Sequence, residues 1–337
     1  MSSGRVRALL LAVTAVLGVL LASPSAAVPE LPGATYAGDF PDPHVLRVGD
    51  VYYAYATTTG GRHLPVLQSR DLRTWTGVHT DAPVVGDALP RPAWWSADRD
   101  GGIAKETWAP SVIELGGRFL AYYAVRVAAP HDRFCISLAT SASPAGPFVD
   151  ATVQPLVCDA DPNGSIDPFP FLDPRTGRAY LLWKAEGLPG RAPQRLMVRE
   201  LTPHGLGFAT GSVARELLRP TRPWEDGVVE NPALVLHEGV LRLFYSAHRW
   251  DSPHYAEGAA TCRTPLGPCL KSPAPVMTSQ GQRLGRAGAA PFVDAQGRLR
   301  LAYHWWQAPR TSYTAGGQRR MSIATVTTSG GRLRVLG

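Results

Sequence analysis

Three carboxylates stand just ahead of prolines in this chain. They are Asp42 in Phe40-Pro41-Asp42-Pro43, Asp167 in Ser165-Ile166-Asp167-Pro168, and Glu230 in Val229-Glu230-Asn231-Pro232. Taken singly, an Asp before a Pro is a common turn opener, and either aspartate can be read that way. Glutamate is not a turn former, and Val228 and Val229 make the surroundings of Glu230 apolar. Gathered in one narrow cavity, the three would repel and raise one another's pKa. Such a cluster serves to bind a cation or to perform acid–base chemistry. Residues so far apart in sequence meet only if the elements that carry them are arranged around a common axis.

The chain repeats itself in a way that supplies such an axis. Five times a glycine turn is followed, six residues on, by an aromatic in a strand-like run. The pairs are Gly49 and Tyr55, Gly117 and Tyr123, Gly177 and Trp183, Gly239 and Tyr245, Gly297 and Tyr303; the glycines lie 68, 60, 62 and 58 residues apart. Each unit opens with a proline and a short apolar strand, turns, and returns in a second strand, which is hairpin grammar. Gln68–Trp75, Ala139–Phe148 and Ala260–Pro268 echo one another further out in their units and read as a third strand, outer turn and fourth strand. Five units of about 60 residues with four strands each predict a five-bladed, all-β propeller of antiparallel blades around a central channel. A two-sheet sandwich gives no reason for five equal periods.

In a propeller the innermost strand of each blade lines the channel. The position one or two residues before each opening proline is then Asp42, Ala109, Asp167, Glu230 and Ala290. Three of these five equivalent places carry acids, and ring closure crowds them at one mouth. Glu225 and Asp226 lie close to Glu230 but do not occupy the position before the proline.

The N-terminus predicts an exported protein. Arg5 and Arg7, the apolar run Ala8–Ala22 and the small residues Ser25-Ala26-Ala27 read as a signal peptide over residues 1–27, leaving a single catalytic domain over 28–337. A membrane anchor is the alternative, but a spanning helix needs about 20 apolar residues and this run is shorter. In an oxidising compartment the four cysteines are expected to pair. Of three connectivities, proximity favours Cys135–Cys158 and Cys262–Cys269. No pair has the tight spacing of a zinc site. The formal charge is +7, or +5 without the signal, and with only Lys105, Lys184 and Lys271 it is almost all arginine. No basic run with interleaved aromatics speaks for nucleic acid.

With these segments in order, the chain resembles glycoside hydrolase family 43 from about Gly38 to its C-terminus. The matches are Phe40-Pro41-Asp42-Pro43 with Val48-Gly49-Asp50-Val51-Tyr52-Tyr53, then Trp108-Ala109-Pro110-Ser111-Val112, Ser165-Ile166-Asp167-Pro168 and Val229-Glu230-Asn231-Pro232. The resemblance implies an inverting glycosidase on arabinose- or xylose-containing plant glycans, of arabinofuranosidase, arabinanase or β-xylosidase type. It implies Asp42 as general base, Glu230 as general acid, and Asp167 as the group that orients the acid and keeps its pKa raised. A glutamate facing two aspartates is expected to hold its proton near neutral pH. Acid and base of an inverting pair stand roughly 6.5–9.5 Å apart, with room for water.

Sugars pack their C–H faces on aromatic rings, so tryptophans at the channel mouth are candidate subsite walls. Trp108 comes first, then Trp94 and Trp95 in the long loop between blades one and two; Trp75, Trp183, Trp305 and Trp306 read as packing. The stretch Asp81–Glu106 could close one end of the channel and favour exo action. Many family members carry a histidine before the fifth inner strand that helps hold a central ion. Here Gly288 takes its place, with His248, His254 and His304 as possible substitutes, so no cofactor is expected beyond a structural calcium left open. Asp161-Pro162-Asn163-Gly164 resembles the nucleophile motif of retaining, invertase-like propellers, but it precedes the third blade and reads as a turn. A non-catalytic sugar-binding propeller is the other alternative. The expected partner is a poly- or oligosaccharide, bound by a secreted monomer.

Overall fold

A computed structural model describes residues 1, 35–78, 86–97, 105–127, 133–158, 163–188, 190–329 and 332–337. The expected signal segment, apart from Met1, and Asp161-Pro162 lie outside the described residues, as does much of Asp81–Glu106.

Five antiparallel sheets form the blades. After a short strand β1 (Tyr36–Asp39), blade one holds β2 (His44–Val48), β3 (Val51–Tyr55), β4 (Val66–Ser69) and β5 (Thr76–Gly77). Blade two holds β6 (Thr107–Leu115), β7 (Arg118–Arg126) and β8 (Phe134–Ser141), with Val149 bridging to Thr140 as an outer edge. Blade three holds β9 (Ser165–Asp173), β10 (Arg178–Ala185), β11 (Arg195–Glu200) and β12 (Arg215–Leu218). Blade four holds β13 (Val229–His237), β14 (Val240–Ala247), β15 (Ala256–Cys262) and β16 (Cys269–Lys271). Blade five holds β17 (Arg283–Val293), β18 (Leu299–Gln307), β19 (Arg319–Ser329) and β20 (Arg332–Leu336). The first described strand, β1, also pairs with β19, so the first and last described strands share the outer edge of blade five and close the ring. Both expected disulfides are present, Cys135–Cys158 and Cys262–Cys269.

A blade's middle strands are buried on both faces, which is why they read as continuous apolar runs. In β7, Phe119, Ala121, Tyr123 and Val125 face blade one, whereas Leu120 and Tyr122 face blade three. Each of the five seams between neighbouring blades holds its own hydrophobic cluster. The repeated aromatic belongs to these seams. Tyr123, Trp183, Tyr245 and Tyr303 each face the preceding blade. Tyr55 faces the following one, because Gly49 opens its two-residue turn while Gly117 and Gly239 close theirs. A one-residue shift of phase turns a strand's side chains to the other face.

Candidate active site

Each inner strand starts at one mouth of the channel, so the loops joining second to third strands open on that same face. There, one cavity is bounded by residues of all five inner strands, among them Asp42, Ala109, Asp167, Asn231 and Ala290. The backbone at these places is unusual. Asp42, Ala109, Asp167 and Asn231 all precede a proline and have φ of 51°, 41°, 55° and 52°. Side chains with a Cβ rarely adopt such angles. Pairing with the second strand slips at the same points in β6, β9 and β13, which marks bulges. In β17 the slip falls at Gly288-Ala289, with Gly288 at φ 63°, and Ala290-Pro291 pair in regular register. Gly288 and not Ala290 is therefore the fifth equivalent position. A bulge re-aims side chains and tolerates a proline that cannot donate to the ladder. The residue equivalent to Asp42 and Asp167 in blade four is thus Asn231, and Glu230 precedes it by one.

Asp42 is a half-buried anion in a cationic setting. Arg319 Nη1 donates to its Oδ1 and Oδ2 at 3.0 and 3.2 Å, and Thr57 Oγ1 donates to Oδ2 at 2.6 Å. Burial alone would push this carboxyl up, but Arg319, His304 and the hydrogen bonds from Thr57 and Arg319 together hold it below its ordinary value. Asp42 is therefore a carboxylate at neutral pH, the state a base requires.

The other two acids are arranged differently. Asp167 Oδ2 accepts the Asn231 N–H at 2.8 Å. Burial and then the neighbouring charge of Glu230 push its carboxyl well above the ordinary range, against the pull of Lys184. Lys184 Nζ, itself buried, donates to Glu230 Oε2 and Glu186 Oε2, each at 2.9 Å. The expectation from sequence places the retained proton on Glu230 and gives Lys184 no role. In the structure it is Asp167 whose carboxyl is driven towards the neutral form, while Lys184 offsets the charge on Glu230. Asp167 therefore keeps its proton to higher pH than an ordinary aspartate does.

Of the three histidines His248, His254 and His304, it is His304 that lies against Asp42. Its ring, wholly buried on β18, accepts the Asp42 N–H through Nδ1 at 3.1 Å and stacks on Tyr255 with centroids 5.7 Å apart. Burial holds it at about 3, so it is a neutral acceptor. A Cβ on Gly288 would lie 2.4 Å from its Cε1 and 2.5 Å from its Nδ1. The glycine and the histidine thus use one space from opposite strands. Gly288 also has φ of +63°, so Gly288→Ala adds strain to overlap and is expected to cost about 2–4 kcal/mol. Denaturant unfolding measures this, and an unchanged midpoint would contradict the packing described. His248 instead pairs with Asp226 at 3.4 Å. His304 Nε2 and Glu257 Oε1 are buried polar atoms without a hydrogen-bond partner. Among the described residues no three His, Cys, Asp or Glu side chains are grouped so that they could hold a metal ion.

Of the expected sugar-binding tryptophans, Trp108 lies half-buried beside Ala109 and stacks on Phe134 with centroids 3.7 Å apart. Trp94 is exposed, and Trp95 donates to Thr152 Oγ1 at 2.9 Å. Trp75, Trp183, Trp305 and Trp306 are buried as packing. Sequence reasoning missed Trp250 and Tyr313, exposed on the loops after β14 and β18. Trp250 stands in Arg249-Trp250-Asp251-Ser252-Pro253, a turn-like composition that carries no repeat signal. Glu225 is a structural acid, fully buried and bonded to Lys271 at 2.5 Å and Tyr245 at 2.8 Å.

Residues 34–331 match the family profile described as Glycosyl hydrolases family 43. The extracellular exo-α-(1→5)-L-arabinofuranosidase of Streptomyces chartreusis is 31% identical over 278 residues, covering 79% of this chain and 78% of that one. The extracellular endo-α-(1→5)-L-arabinanase of Thermotoga petrophila is 33% identical over 116 residues, which are 32% of this chain and only 22% of that protein. The crystal structure of a thermostable family-43 glycoside hydrolase superposes with a TM-score of 0.73 at 27% identity, covering 89% of this chain and 93% of that one.

Proposed function

Because this chain belongs to glycoside hydrolase family 43, we propose that Asp42, Glu230 and Asp167 are the machinery of an exported enzyme that cleaves α-L-arabinofuranosyl linkages with inversion. The enzyme is a glycoside hydrolase of the type that acts on arabinose- or xylose-containing glycans. The preference for arabinose rests on the Streptomyces relative, which aligns over most of both chains. Export rests on the N-terminal basic and apolar pattern, together with the extracellular names of the relatives.

One observation carries the assignment of roles. One cavity is lined both by Asp42, a carboxyl held down by Arg319, and by Asp167, a carboxyl pushed up by burial and by the charge of Glu230, whose own side chain is held by Lys184. Finding titrating groups whose surroundings push them apart identifies base and acid. Asp42 takes a proton from water, whose oxygen bonds to the anomeric carbon on the face away from the leaving group. The bond from that carbon to the glycosidic oxygen breaks, and the oxygen takes its proton from Glu230. Asp167 accepts the Asn231 backbone N–H beside the acid, so it is a positioning residue.

Proton NMR of the first product from an aryl α-L-arabinofuranoside and an aryl β-xyloside tests both parts. The expected result is inverted arabinose, released faster than xylose. A retained anomer would refute the roles, and release of xylose alone would refute the sugar.

A further inference from the structure

The active-site face carries an aromatic group that the hydrolytic residues leave unused. Trp250 and Tyr313 are 39% and 42% exposed, with ring centroids 6.1 Å apart. Both are braced from behind. The buried Trp306 stacks on Trp250 at 5.9 Å, meets Tyr313 edge-on at 5.1 Å, and donates its indole N–H to the Trp250 carbonyl at 3.0 Å. The Arg319 guanidinium lies 4.9 Å from the Trp250 centroid and 5.5 Å from that of Tyr313. Its Nε donates to the Tyr313 hydroxyl at 3.0 Å, and that hydroxyl donates to Asp39 at 3.2 Å. The same guanidinium holds Asp42.

The part of each ring that these contacts leave uncovered is open to solvent. It offers a rigid apolar wall, which a sugar's C–H face packs on without ordering cost to the protein. The wall belongs to the Asp42 side, since Arg319 joins them. In an inverting site the base faces the sugar being cleaved from the side opposite the leaving group. One guanidinium aside from Asp42 is the place for the next sugar of the same chain.

We propose that Trp250 and Tyr313 form a subsite for a second sugar unit, adjacent to the one whose bond is cleaved and on the base side. This rests on the roles assigned to Asp42 and Glu230. It makes the protein a reader of glycan chains, to which a single-sugar glycoside presents only part of what the site binds.

The test compares kcat/KM for an α-1,5-linked arabinotetraose and for an aryl α-L-arabinofuranoside. Trp250→Ala is expected to lower the tetrasaccharide value about tenfold more than the aryl value, through KM, and Trp250→Phe to restore most of the loss. Equal losses on both substrates would mean that Trp250 only props Arg319, and would overturn the proposal, as would no loss on either. Calorimetric titration of the tetrasaccharide into Asp42→Asn protein, with and without Trp250→Ala, reads the subsite without turnover. Weaker binding by about tenfold supports it, and equal binding overturns it. Should the unaltered enzyme hydrolyse neither substrate, the titration still judges the subsite while the catalytic roles fall.

Discussion

Asp42→Asn is expected to abolish hydrolysis of natural and aryl substrates alike, with kcat down by roughly 10⁴-fold, the upper range for a lost general base. The amide cannot take a proton from water, and no other carboxylate is held ionised at that place. With its oxygen in the place of Oδ2, Asn still accepts from Thr57 Oγ1 and Arg319 Nη1, which donate to that oxygen at 2.6 and 3.2 Å. Folding is therefore preserved, and thermal unfolding of the variant serves as the control. The base also sets one limb of the pH profile. It works as the anion, so kcat/KM is lost as pH falls through its pKa, and Arg319 and His304 place that pKa below the ordinary 3.8. Arg319→Met removes the chief cationic partner and should move the acidic limb upward. A limb that stays in place would show that Asp42 is not the group being titrated.

Glu230→Gln is expected to separate substrates by leaving group. Where the glycosidic oxygen must be protonated, as in an arabino-oligosaccharide, kcat should fall by about 10²–10⁴-fold. With a dinitrophenyl leaving group, which departs as an anion, the loss should be under about tenfold, because the base still activates water. The substitution also cancels the Glu230 charge that helps push Asp167 up. Asp167 should then give up its proton at lower pH, and an alkaline limb that depends on its neutral form should move down. Equal losses on both kinds of substrate would remove Glu230 from the role of acid.

The blades are legible in the order of residues. The Gly-to-aromatic spacing marks the hairpins because turn chemistry and a strand's apolar run are local properties. Each aromatic does lie in a seam between blades, although Tyr55 turns to the opposite seam. That difference of phase hides in whether glycine opens or closes a two-residue turn. The prolines likewise locate the bulges of β6, β9 and β13, since a residue without an N–H fits where the ladder is interrupted. They do not locate that of β17, which falls at Gly288-Ala289 ahead of Pro291. Counting to the proline nonetheless sets Glu230 beside Asp42 and Asp167 as an equal, when Asn231 holds that backbone position.

Ring and acids alike are written along the chain: five periods of strand grammar, and carboxyl groups at the starts of the first, third and fourth inner strands. The surroundings of those acids arise only when the ring closes. Lys184, His304 and Arg319 lie on second and third strands of other blades, 46, 262 and 277 residues from the carboxyl-bearing residues they touch. No local pattern records such meetings. The pKa of a buried group depends on charges a few ångströms away in space, whatever their distance along the chain. So the identity of the acids is a property of sequence, and which of them holds the proton is a property of the closed ring.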